Sequence, residues 1–319
     1  MPVRFRARKM QFPELSYANE NQPRLKRWFI RSVEGLSGRD RFARIYCDWR
    51  SEVAAGRPHV FTRLLELLGV GIVHAESWPP AALPDTPLVI VANHPFGIGD
   101  GMALLSLAER LGRPFRVMIH SDLLKVPEIA PYALPVDFSD TKEALKRNLA
   151  VRHEAVRLLK EGVTVVIFPA GGVATAPKVL GRAEDLPWKV FVARLVMDAK
   201  ASVIPIHFCG QNGRLFHMVS QPMKLADSEV PLARMIGNLS LTLRLSLLVR
   251  EFARLSGKSI EARVGFPLAW QELEAIRDRK LLLGRLQRAV MDLAPAITLG
   301  KRSPRFKLVR RKWPEADAA

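Results

Sequence analysis

Residues 88–101 read Leu88-Val89-Ile90-Val91-Ala92-Asn93-His94-Pro95-Phe96-Gly97-Ile98-Gly99-Asp100-Gly101. Five apolar residues in a row follow Pro87. That run is too short for a membrane span and too continuous for a strand with one wet face. It fits a strand covered on both faces, as in a parallel sheet. A glycine-rich loop follows, and then a helical pattern over Met102–Leu111 that stops at Gly112. In open α/β sheets the loops at the carboxyl ends of the strands hold the ligands.

The alternation continues outward from this stretch. Phe115–Ile119 reads as a strand and Lys142–Lys160 as a helix, with Ala144, Leu145, Leu149, Ala155, Val156 and Leu159 near one face and Gly162 at its end. Thr164–Phe168 is a second buried strand, Trp188–Ala199 a helix, and Ser202–Phe208 a strand despite Pro205. Repeated helix–strand alternation predicts an α/β fold with a largely parallel central sheet flanked by helices. Downstream, Leu232–Leu255 reads as one long helix or two, Ser259–Val264 as a further strand, and Gln271–Leu293 as an amphipathic helix before a basic tail, Lys301–Lys312. Upstream, residues 1–22 form an irregular basic arm, and Pro23 opens a helix in which Leu25, Trp28, Phe29, Val33 and Leu36 recur. Helices follow at Arg39–Val53 and His59–Leu68, closed by Gly69, and residues 79–87 read as a Pro-rich linker. The chain thus divides into a basic helical region (1–80), an α/β domain (81–270) and a C-terminal helix with a basic tail (271–319).

The chain has 319 residues, 48% of them hydrophobic, and a formal charge of +18. Such a surplus calls for an anionic partner, nucleic acid or lipid. Lys and Arg are spread along the sequence, and no helix-turn-helix, zinc-finger or RNA-binding signature occurs, so no nucleic-acid partner is expected and an anionic membrane surface is. The stretch Met1–Phe12 lacks the apolar run of a signal peptide. The longest apolar helix candidate, Leu232–Leu255, is interrupted by Arg234, Arg244, Arg250, Glu251 and Arg254. A protein that lies on the bilayer without spanning it is therefore expected. The basic helix after Pro23 suits that interface, and it suits packing on the core with a solvated basic face equally well. Cys47 and Cys209 have neither metal spacing nor a disulfide framework, and His207 and His217 lack supporting ligands, so no metal site is expected.

His94 and Asp100 are the titratable residues of the first loop. A histidine can take a hydroxyl proton near neutral pH, and a carboxylate on its other nitrogen fixes the tautomer and stabilises the imidazolium. That is the His–Asp half of a triad, with a substrate hydroxyl in place of serine. The plainer alternative is a structural histidine beside a turn, with Asp100 capping the helix. Phe168-Pro169-Ala170-Gly171-Gly172 follows the second buried strand. Its paired glycines present backbone N–H groups to an anion or a developing oxyanion, or simply make a turn. No Gly-X-Ser-X-Gly elbow is present, which weighs against a serine hydrolase. Lys125 is a candidate for an anionic head group. A basic lipid- or nucleic-acid-binding protein without catalysis is the alternative from another class.

Asn93-His94 with Asp100, Phe168-Pro169-Ala170-Gly171 some seventy residues on, and then Val203-Ile204-Pro205 resemble, in order, spacing and strand context, the motifs of the glycerolipid acyltransferase superfamily. That superfamily holds the lysophospholipid and 1-acylglycerol-3-phosphate acyltransferases. The His94-Pro95-Phe96-Gly97 opening and the basic lead-in are similar to its bacterial hemolysin-like branch. The resemblance implies that His94 is the base and Asp100 its orienting partner. It places Asn93, Pro95, Phe96, Gly97, Gly101, Phe168, Pro169, Ala170, Gly171, Gly172 and Pro205 at the substrate. It further implies no bound cofactor, an acyl-carrier protein or CoA thioester as donor, a lysolipid as acceptor, and a peripheral place on the cytoplasmic face of the inner membrane. No acyl-enzyme is required, and Cys209 reads as a buried strand-end residue. Three departures stand out. Five residues separate His94 from Asp100 where the family has four, Ala170 replaces a glutamate linked to acceptor binding, and the family's arginine motif has no counterpart between Met118 and Thr141. They leave a lyso-aminolipid, such as lyso-ornithine lipid, or another lysolipid at least as well supported as a glycerol-3-phosphate-type acceptor.

Overall fold

The computed structural model describes residues 39–295 apart from Ala75, Ser77, Phe138, Asp140, Val179 and Leu180. The basic arm, the helix expected from Pro23 and the basic tail lie outside the described residues.

Among the described residues, seven strands make one sheet: β1 (Gly71–His74), β2 (Leu88–Ala92), β3 (Phe115–His120), β4 (Ala133–Val136), β5 (Thr164–Ile167), β6 (Ser202–Cys209) and β7 (Ser259–Val264). Their order across the sheet is β1-β7-β6-β2-β5-β3-β4. Strands β2 to β6 run parallel. Strand β7 pairs antiparallel with β6, and β1 follows it, so one edge is reversed. The largely parallel α/β sheet is the one predicted. Strand β2 is buried at every residue because both faces are covered. Leu88, Ile90 and Ala92 face one layer, with helices α1 (Arg39–Ala54), α2 (Val60–Leu68) and α3 (Ile98–Glu109). Val89 and Val91 face the other, with α4 (Lys142–Lys160), α5 (Phe191–Ala199) and α9 (Arg279–Met291).

Three sequence expectations change. The edge strands β1 and β4 were not anticipated; each is four residues long, too short for a period to show, and Pro135 suits an edge. Strand β1 lies within the segment read as helical. Helix α3 starts at Ile98, four residues before Met102, because Asp100 in its first turn accepts the amide of Phe96 (3.0 Å) and holds a turn whose glycines favour coil. The expected helix Gln271–Leu293 is two, α8 (Trp270–Leu273) and α9, broken where Asp278 caps α9 by accepting the amides of Lys280 and Leu281, both at 2.8 Å.

The far end of α3 is fixed as firmly as its start. Glu109 accepts the amides of Phe61 and Thr62 (both 3.0 Å), capping α2 from another element. Burial pushes the Glu109 carboxyl above its ordinary range. Between β6 and β7 the chain inserts α6 (Arg214–Ser220), a 3-10 turn (Gln221–Asp227) and α7 (Pro231–Ala253). Among the described residues, α7 is the one helix long and apolar enough to cross a membrane. Within it Arg244 and Glu251 are buried in the protein.

Candidate active site

The carboxyl ends of β2 and β5 are neighbours in the sheet, with Val91 opposite Ile167. The His94 loop and the Phe168 loop therefore leave the sheet side by side. Chain order departs from spatial order here, since β2 leads to β3 but pairs with β5 and β6. That is the switch point where α/β sheets open a crevice.

Asn93 ends β2. Its side-chain amide donates to the carbonyl of Phe208 (3.0 Å), and its oxygen accepts the Phe208 amide (2.7 Å), so it prolongs the β2–β6 ladder and fixes where the next residue starts. His94 follows. Its Nδ1 stands 3.1 Å from Asp100 Oδ1, with Asp100 fully buried and the histidine side chain 17% exposed. The two atoms lie at hydrogen-bond distance but off the hydrogen-bond line, and neither has another hydrogen-bond partner among the described residues. The other carboxylate oxygen is the one held by Phe96 N–H. Asp100 thus fastens the start of α3 with one oxygen and stands beside His94 with the other. The extra residue between the pair does not part them, because Gly97 turns the loop at φ 82°. A side chain there would meet Leu248 Cδ2 at 2.9 Å and Val173 at 3.0 Å.

Three further contacts hold the histidine. Its ring stacks on Phe168, centroids 4.0 Å apart and planes 26° apart. Its carbonyl accepts the amide of Ala174 (2.7 Å), and its own amide donates to Asp185 Oδ1 (3.1 Å). Asp185 Oδ2 in turn accepts from Trp188 Nε1 (3.0 Å). With Nδ1 toward Asp100, Nε2 is left to meet a hydroxyl. Burial raises the Asp185 carboxyl above its ordinary range, the bonds from His94 and Trp188 pull it back, and the Asp100 charge pushes it up again. Asp185 is a residue of the His94 surroundings that pattern reading missed. It lies 91 residues from His94, and only the return of the 181–190 loop brings it there.

Most of the remaining predicted positions lie in the two loops. Pro95, Phe96 and Gly97 are buried under the loop, and Phe96 fills the space beside Gly210, where an added Cβ would lie 2.6 Å from its ring. Gly101 sits in the first turns of α3 with nothing within 4 Å of an added Cβ. Pro169 and Ala170 are buried, and the Pro169 carbonyl accepts the amide of Lys189 (3.0 Å). The Gly171 amide is spent on a turn to Phe168 O (3.0 Å), so of the glycine pair Gly172 has the amide without an acceptor among the described residues. Pro205 lies inside β6 opposite Val91, and its carbonyl accepts from Gly265 (2.9 Å). Its missing N–H therefore faces the β7 side, in the gap between the Val203–Leu268 bridge and the β6–β7 ladder that starts at Ile206. Lys125 closes a 3-10 turn after β3, on the same edge of the sheet but two strands from β2, about 10 Å sideways.

Other titratable groups are structural. The Cys209 thiol is pushed up to about 11 by burial and by Glu261, which disfavours a nucleophilic thiolate. Buried His217 accepts the Ala176 amide at Nδ1 (3.2 Å), and burial lowers its proton affinity, as it does for His207. Arg244, also buried, donates to the carbonyl of Val173 and so ties α7 to the Phe168 loop. Burial brings its guanidinium down to about 10.

Two lyso-glycine lipid O-acyltransferases are similar to this chain. That of Phocaeicola vulgatus is 22% identical over 189 residues, 58% of this chain and 60% of its own length. That of Bacteroides thetaiotaomicron is 24% identical over 185 residues, 58% of this chain and 61% of its own length. The chain thus covers about 60% of the length of these curated relatives. Residues 76–284, which hold the paired loops and all but the first strand of the sheet, match the family model described as acyltransferase, and the chain belongs to that family.

Proposed function

We propose that this chain is an O-acyltransferase that moves a fatty acyl group from a thioester of acyl-carrier protein or CoA to the hydroxyl of a lysolipid. The observation that carries the reading is the pair of His94 Nδ1 and buried Asp100 Oδ1, 3.1 Å apart, at the mouth shared by two glycine loops. His94 Nε2 takes the acceptor's hydroxyl proton as the oxygen bonds to the thioester carbonyl carbon. The tetrahedral oxyanion draws on the Gly172 amide, and Asp100 stabilises the imidazolium. The C–S bond then breaks, and the leaving thiolate receives the proton from the imidazolium. No acyl-enzyme forms.

The relatives' action on lyso-glycine lipid, together with Ala170 in place of an acceptor-binding glutamate, favours a lyso-aminolipid acceptor of that class or its lyso-ornithine counterpart. The +18 charge suits an anionic leaflet, with the protein peripheral on its cytoplasmic face, and suits the acidic surface of a carrier protein equally.

The test supplies labelled acyl-carrier protein or acyl-CoA with lyso-glycine lipid, lyso-ornithine lipid and lysophosphatidic acid. Transfer to the lyso-aminolipids above lysophosphatidic acid supports the proposed acceptor class. The reverse preference overturns it. No transfer from either donor, by folded protein that still binds vesicles, removes the enzyme reading in favour of a basic lipid-binding protein.

A further inference from the structure

Over its first half, helix α7 has its polarity reversed. Leu232, Met235, Ile236 and Leu239 recur at i, i+3, i+4 and i+7, the spacing of one helix face. They point outward, with exposures of 63%, 61%, 41% and 49%. The inward stripe is small and polar. Gly237 lies against the backbone of Leu225 and Ala226, Ser240 donates to the carbonyl of Val219, and Arg244 donates to Val173 O and stands 5.2 Å from the Phe216 ring centroid. A surface helix in water shows the opposite arrangement. Met218 of α6 and Leu225 of the 3-10 turn are exposed as well. Clustered apolar exposure of this kind marks a contact surface.

Two observations say what covers it. Cations belong to the same unit. Arg214 and Arg234 are exposed on α6 and α7, and the loop bearing exposed Lys178 and Arg182 is bonded to the unit through Gln221 to Ala176 O (2.7 Å) and through Ala183 N–H to Gln211 (2.8 Å). Exposed Glu229 and Glu184 oppose them. The net balance matches an anionic leaflet, in a chain of formal charge +18. The same helix also reaches the site, for Leu248 abuts the position of Gly97. Leu248 lies nine positions along the helix from Leu239, about 13 Å of rise. An acceptor whose chain stays in the lipid would therefore have its head group near His94. The second half of α7 is not free to enter a bilayer, since buried Glu251 accepts the Gly213 amide (2.7 Å) and buried Arg244 is fastened as described.

We propose that the outward face of Leu232–Leu239 is the surface by which the protein beds into the acyl boundary of an anionic bilayer. The inference rests on the lipid-acyltransferase reading, but its test does not pass through acyl transfer. Full-length protein is floated with vesicles of equal parts phosphatidylcholine and phosphatidylglycerol. The triple variant Leu232→Ser/Met235→Ser/Leu239→Ser is compared with wild type, and Leu145→Ser/Leu149→Ser, two exposed leucines of α4, is the control. The expected result is at least about a tenfold loss of partitioning in the triple variant, with the control and the circular dichroism unchanged. Wild-type flotation by the triple variant overturns the proposal, as does an equal loss in the control. A fall in oligomer mass with flotation retained also overturns it, because the face then belongs to a second copy. A protein that transfers no acyl group yet floats by this face leaves the inference standing while removing the enzymatic reading.

Discussion

Helices α3 and α7 are both rich in apolar residues and both reach the His94 loop, yet they use those residues in opposite ways. In α3, Ala103 to Ala108 are buried without a break, and the one charge of the first turn, Asp100, is buried beside His94. In the first half of α7 the apolar residues face outward, and glycine, serine and arginine make the inner contacts. Apolar content thus sets how much surface a helix must hide, and the small or polar stripe decides which face it hides. A helix at the sheet's centre takes its cover from the strands. One in an insertion between strands must find cover elsewhere.

Substitutions in the two helices sharpen this contrast. The largest effect belongs to Asp100→Asn, which keeps the size of the side chain but removes the charge that orients and stabilises the histidine. Transfer should fall roughly 10²–10⁴-fold with the melting profile nearly unchanged. Packing comes next. Leu107→Ala in α3 should cost about 2–5 kcal/mol in denaturant unfolding, whereas Leu232→Ala in α7 should stay within about 0.5 kcal/mol. Equal costs would show that the two leucines are equally covered and would end the comparison.

Asp185→Asn separates activity from stability. The raised carboxyl means the folded state disfavours the charge, so its contribution to stability falls as pH rises above its ordinary 3.8. The gain from losing the charge is offset because asparagine has one acceptor oxygen for two donors, the His94 amide and Trp188 Nε1–H, so the variant should melt close to wild type at neutral pH. It should also transfer roughly fivefold to tenfold more slowly, because a neutral acceptor replaces a charged one under the His94 amide. The smallest effect concerns His217 and His207. Their lowered affinity means the unfolded chain binds protons first as pH falls below the ordinary 6.5. Stability present above that value is then lost on acidification. His217→Gln should flatten the fall in melting temperature between about pH 6.5 and 5.

Much of the fold was legible because its central strands are continuous apolar runs bounded by Pro and Gly, as at Pro87–Ala92 and Thr164–Phe168. Strands β1 and β4 were not, since four residues at a sheet edge are too few to carry a period. The break before α9 turned on a single cap, Asp278, inside an otherwise helical pattern. At the site, His94 and Asp100 were legible because the pair lies within one loop. Asp185 and Arg244 were not, because each reaches the site across a long stretch of chain, 91 residues to His94 for the first and 71 to Val173 for the second. The Arg244 charge even read as an interruption in an apolar helix. Sequence likewise did not distinguish the two amides of the glycine pair, which differ only because Gly171 closes a turn on Phe168.

The central claim is that His94 is the base that activates the acceptor. The most direct test is the release of free thiol from acyl-carrier protein or acyl-CoA in the presence of a lyso-aminolipid, with wild type and His94→Ala compared at equal vesicle binding. A loss of at least roughly 10²-fold is expected in the variant. A rate within about tenfold of wild type would contradict it.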